Sequence, residues 1–357
     1  MHWSRLSSWS RVLLVWACGA AASLAAASAA HASAAEPVER LRIVGGLAGL
    51  NQYTRQEEPF WLRELPRLTA GRAVAEIVPF DRAGLGGEEM LRMVQMGAVP
   101  FGTALLSRSS AVEPELVGPD LAGLNPDFAS VKRHVAAYRP RLSQLLRERY
   151  GIELLAIYLY PAQVTFCAKP FAGLSDLAGR RVRVASASQA DFMAALGAQP
   201  VQTPFAQIVP GIRNGSIDCA ITGTMSGNTI GLHEVTSHVH TMAVTWGLAV
   251  FVAHGASWEA LSDPVRSVLK RELPRLEQRV WAESERETSE GLACNTGGAG
   301  CRDGRKGRMT LVSTSSADEK RRLGLLQEAV LPAWIRRCGQ SCGTLWRELT
   351  GGAMPAR

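Results

Sequence analysis

From Arg40 onward two periodicities alternate along the chain. "RLRIVGGLAGL" reads as a strand running into a Gly-rich turn, and "QEEPFWLRELPRLTAG" as a helix stopped by Gly71. "AVAEIVPFD" is a second strand, "GGEEMLRMVQMG" a helix closed by Gly97, and "AVPFGTALL" a third strand. A chain that repeats strand, helix, strand is confined to a parallel sheet with helices packed on its faces. A long helical stretch, "VKRHVAAYRPRLSQLLRERYG", follows, and Pro140 is expected to kink or restart it. After the buried strand "IELLAIYLY" the alternation begins again with "QVTFCAK". Next come the strand in "GRRVRVAS", a helix from Ser188 to Leu196, a strand at "QPVQ", a helix through "FAQIVPGIRNG" and the strand "SIDCAIT".

The restart implies a second domain of similar build, which suits a chain of 357 residues. "TWGLAVFVAH", from Thr245, is a strand that returns to the first domain. "WEALSDPVRSVLKRELPRLEQRVWAESERE" is a helix pair, or one helix interrupted at Pro274. A short strand, "LVSTSS", and a terminal helix complete the pattern. The expected fold is therefore α/β, with two domains, a hinge and an interdomain cleft. Domain I takes residues 41–160 plus 246–285, domain II takes 161–245 plus 286–345, and 346–357 form a C-terminal tail. In such folds ligands sit beyond the carboxyl ends of the strands.

The first 34 residues are set aside as an export signal: Arg5 and Arg11, an apolar run from Val12, then the A-x-A site Ala32-Ser33-Ala34. A lipoprotein signal acylated at Cys18 is the alternative, but Trp16 stands where such signals prefer small residues. Periplasmic export follows, and no later stretch is apolar for long enough to span a bilayer. Losing the leader takes the basic residues from 39 to 37 against 32 acidic ones, a net +5. That excess is spread out, so a nucleic-acid partner is not expected. Of 7 cysteines, 6 remain, an even number for an oxidising compartment. Cys294 and Cys301 bracket a flexible loop, and Cys338 and Cys342 flank Gly339 closely enough to pair. Cys167 and Cys219, both in strand-like segments, are the third candidate pair.

Enzyme signatures are missing: there is no G-x-S-x-G elbow, H-E-x-x-H or P-loop, and "VGGLAGL" lacks the dinucleotide spacing. No catalytic residue, cofactor or metal site is expected. His233, His238 and His240 lack ligand spacing and read as surface or helix-end residues, and Ser226 reads as turn chemistry. Arg183 differs in kind. Alternation in Arg181-Val182-Arg183-Val184 puts both arginines on one strand face, and Arg183 closes the strand where a helix capped by Ser186 or Ser188 begins. A guanidinium fork beside a helix N-terminus suits a carboxylate. A surface arginine on a half-exposed strand is the plain alternative.

Leu174–Gly223 carries a D-L-x-G-x-x-x-R-V run, then L-G-A-x-P-V, a P-F helix start and a G-x-x-D strand. This resembles the second-domain signature of the DctP-type periplasmic solute receptors of TRAP transporters. Weaker likeness extends through "GGEEMLRMVQMGAVPFG" and "WGLAVFVAH". The resemblance implies a two-domain periplasmic-binding-protein fold, type II-like, that captures an organic acid and delivers it to a TRAP membrane permease. It implies that Arg183 clamps the ligand carboxylate and that Phe205 lies against the ligand. Thr222 falls where many members have asparagine, and Gln163 roughly where some have a second arginine. Trp246 and Tyr160 could face the cleft, with a core position as the alternative for each, as for Tyr158. One inward arginine with aromatic walls points to a monocarboxylate with an apolar or bulky remainder. Rival functions are the receptor of an ABC importer or sensor system and, from another class, an exported enzyme.

Overall fold

The computed structural model describes residues 37–84 and 89–350. The expected signal segment, 1–34, lies outside them.

Two sheets organise the chain. The first contains β1 (Glu39–Gly45), β2 (Ala73–Pro79), β3 (Phe101–Leu105) and β4 (Ile152–Leu159). The second contains β5 (Gln163–Cys167), β6 (Arg181–Val184), β7 (Gln199–Gln202), β8 (Cys219–Gly223) and β9 (His238–His240). β10 (Leu248–His254) then returns to the first sheet, and β11 (Thr310–Val312) closes the second. The orders are β2-β1-β3-β10-β4 and β11-β9-β5-β8-β6-β7. β1 lies parallel to β2 and β3, as the strand–helix–strand pattern requires, and β6 lies parallel to β7 and β8. Each sheet also holds a strand that arrives from the other and runs antiparallel to its neighbours: β10 in the first, β5 in the second. Two α/β domains joined at a hinge result.

The two crossings lie side by side. Gln163 N donates to Thr245 O at 2.8 Å, Val244 N to Gln163 O at 2.9 Å, and Tyr160 N to Gly247 O at 3.2 Å. A third connection is the helix Asp263–Thr296. Its Trp281 indole donates to Ile157 O, and the hydroxyl of Thr224, beyond β8, donates to its Glu287 O.

This helix is continuous through Pro274, and the helix Phe128–Tyr150 is continuous through Pro140. Neither proline ends or restarts its helix. A proline removes one helical hydrogen bond, but Tyr138 and Leu142 flank Pro140 in the core, and Leu273 and Leu276 flank Pro274. Burial on both sides outweighs the loss. Residue 346 lies in a helix, Gln340–Thr350, and its indole packs edge-on against Trp334. β9 corrects the reading of the histidines. Strand period puts His238 and His240 over Phe171, and His240 is buried there with its Nε2 3.5 Å from Asp318. All three cysteine pairs are joined: Cys167–Cys219 directly across β5 and β8, Cys294–Cys301, and Cys338–Cys342.

Candidate functional site

Between the sheets lies a cavity of about 350 Å³. The first sheet's side supplies Leu47, Leu50, Phe80, Leu105 and Arg108, and the second supplies Arg183, Phe205, Thr222 and Ser226. Tyr160, Gln163 and Gly247 reach it from the crossings. Its walls are mostly aliphatic and aromatic, and its charged groups gather at a few points.

Arg183 is 4% exposed, which is rare for a guanidinium. Its Nε donates to Thr203 O at 3.0 Å and its Nη1 to Ile221 O at 2.7 Å. Two backbone carbonyls thus fix the plane of the fork and engage two of its five N–H groups, leaving three for a ligand. Among the described residues its hydrogen bonds go to carbonyls and to no carboxylate. Burial, and secondarily the positive charge of Arg108, hold its pKa below the ordinary value, yet the group remains a cation. A buried cation is costly unless an anion meets it. Arg181, two residues earlier, has that partner: its Nε and Nη2 hold both oxygens of Asp218 at 3.0 and 2.8 Å, at the surface.

Ser186 caps the helix Ala187–Ala195, its hydroxyl accepting from the Gln189 amide at 3.2 Å. Phe205 opens a tight helical turn after Pro204, so its ring overhangs the cavity beside Arg183. Thr222 and Gln163 lie on adjacent strands, in the pairs Val164–Thr222 and Gln163–Gly223. Tyr160 leaves β4 at the crossing, next to the turn of Gly46 and Leu47. Burial raises its hydroxyl's pKa above the ordinary value, so it stays neutral.

Residues 52–294 match the bacterial extracellular solute-binding protein family 7, DctP. The chain belongs to this family. It is a TRAP-type solute-binding protein rather than an enzyme, and its architecture agrees with solved relatives. A Bordetella pertussis extracytoplasmic solute receptor that binds pyroglutamic acid superposes with a TM-score of 0.77 at 22% identity, covering 87% of this chain and 99% of that one. A TRAP periplasmic solute-binding protein from Desulfovibrio salexigens with bound orotic acid gives 0.76 at 18%, over 87% and 98% of the two chains. One from Shewanella oneidensis with bound succinate gives 0.73 at 20%, over 88% and 99%.

In this DctP-family chain, Trp246 is not on the cavity wall. Its indole donates to Asn125 O at 3.0 Å and its ring packs against Phe128. β10 starts only at Leu248, because the buried Asp120 carboxylate binds the amides of Trp246 and Gly247 and holds that backbone off the sheet. Tyr158 is likewise a core residue, against Phe251. Arg108 escaped the sequence reading. It follows the carboxyl end of β3, so the strand-end reasoning that selected Arg183 applies to it equally. Ser226, read as turn chemistry, also reaches the wall.

Proposed function

We propose that the protein is an exported receptor that captures an organic acid anion in the cleft, with the carboxylate on Arg183, and hands it to a TRAP membrane permease. The observation that carries this reading is a buried guanidinium, aimed into the cavity, whose described partners are neutral carbonyls. The compounds named with the similar receptors, pyroglutamic, orotic and succinic acids, all carry a carboxylate. The leader-like residues 1–34 and the extracellular solute-binding family support a periplasmic site of action.

The lobes are residues 41–160 plus 246–285 and residues 161–245 plus 286–345, and they close on the ligand by bending at the crossings. Closure is favoured by the ligand's preference for the closed over the open state. The mostly apolar wall, with Phe80 and Phe205, favours an acid with an apolar or bulky remainder. Arg108 is a second cation on the wall, so an acid with a further acceptor oxygen is accommodated as well.

Native mass spectrometry of freshly purified protein, followed by calorimetry with the acid found, tests the reading. Arg183→Ala should fold normally, as judged by circular dichroism, and lose about 3–5 kcal/mol of binding. Affinity near that of the wild type would overturn the assignment.

A further inference from the structure

Gln189 does not line the cavity, yet its side-chain amide determines how one of the wall residues faces the ligand. Its Oε1 accepts from the Ala185 amide at 2.7 Å. A backbone N–H can only donate, so the oxygen must occupy that end of the Gln189 amide. The NH2 end then faces the hinge, donating to Thr245 Oγ1 at 2.8 Å and to Gln163 at 3.3 Å. A donor requires an acceptor opposite, so Gln163 turns its oxygen inward to Gln189 and its NH2 outward, against Gly247 and the cavity.

We propose that Gln189 is a positioning residue that fixes Gln163 as a hydrogen-bond donor to the ligand. The preferred acids then carry an acceptor oxygen near the carboxylate, and the corresponding 2-amino acids bind more weakly. The spacing supports this. Arg183 is held at Ile221 O on β8, and Gln163 pairs with Gly223 two residues along that strand. Their two anchor points on β8 are thus two residues apart, roughly 7 Å along the strand, and both side chains line the same cavity. An ammonium there would meet the NH2 of Gln163 and the guanidinium groups of Arg183 and Arg108, whereas the carboxylate on the cavity wall, Asp81, comes from the first sheet's side and already accepts from Ala48 N at 2.9 Å. An oxo or hydroxyl oxygen accepts.

This inference rests on the carboxylate reading of Arg183, and the test separates the two. Phenylpyruvate, phenyllactate and phenylalanine share one skeleton, as do ketoisocaproate, hydroxyisocaproate and leucine. Calorimetry on the wild type should give at least tenfold tighter binding of the oxo or hydroxy acid than of the amino acid. Gln189→Glu puts an acceptor opposite Gln163, turns that amide around, and should shrink or invert the ratio. Gln189→Met frees the amide and should bring the ratio toward one. A merely structural residue would weaken all three acids of a set together. An unchanged ratio in the folded variants, or an amino acid bound as tightly as its oxo acid by the wild type, overturns the proposal. Wild type that binds none of the acids overturns both readings, whereas loss confined to Arg183→Ala upholds the first on its own.

Discussion

Arg181 and Arg183 share a strand and a face, and they have opposite surroundings. The first is paired with Asp218 at the surface; the second is buried beside the cleft. The sequence distinguishes them because strand ends and helix starts can be recognised from local periodicity, and Arg183 stands at such a junction. Gln189 was beyond that reach, since its role depends on Thr245 and Gln163, which the fold alone brings to it. For Trp246 the sequence leaves both cleft and core open, because nothing local reveals that Asp120 binds its amide from 126 residues away. Gly247 has φ +70°, and a Cβ there would lie 2.2 Å from Gln163 Nε2. Gly247→Ala should cost roughly 1–2 kcal/mol of stability from the backbone alone, and calorimetry should show at least tenfold weaker ligand binding as Gln163 is displaced. Glu57 supplies a pH test. Fully buried, it accepts from Gly46 N and Thr103 Oγ1, and burial raises its pKa from 4.5 to about 7. The folded protein holds that proton more tightly than the unfolded chain, so Glu57 favours folding at low pH. This contribution is lost as pH rises from about 4.5 to about 7. Glu57→Gln keeps both hydrogen bonds, with the amide donating to Thr103. Thermal melts should therefore show a smaller drop in Tm between about pH 5 and pH 8 than in the wild type.

At the level of elements, the parallel runs β1-β2-β3 and β6-β7-β8 follow directly from the alternation of strand and helix. The antiparallel entries of β5 and β10 do not, because strand direction within a sheet depends on where the chain crosses. Prolines 140 and 274 were overruled by packing that no local rule counts. The Cys167–Cys219 bridge links β5 to β8, the strands that present Gln163 and Thr222. Replacing both cysteines by serine should lower unfolding free energy by about 2–4 kcal/mol in a denaturant titration. Ladder hydrogen bonds still set the register, so ligand affinity should remain within a few-fold of wild type.

Across the whole molecule, lobe closure predicts a measurable contraction. Small-angle scattering should record a smaller radius of gyration when a bound acid saturates the wild type, and no change for Arg183→Ala under the same conditions. The helix Asp263–Thr296 bears on how that contraction proceeds. Along its length Glu277 and Trp281 bond to β4, whereas Asn295 bonds to Thr224 beyond β8. At Glu287 the side chain holds Asn51 and Gln52 while the carbonyl holds Thr224. A rod of 34 residues, roughly 50 Å long, is thus fastened to both halves of the molecule. If the lobes open and close as proposed, the motion must flex or twist this helix, which would then act as a spring in parallel with the two crossing strands. Under the proposed closure, a stiffer rod would narrow the resting mouth and with it the range of solutes that gain entry.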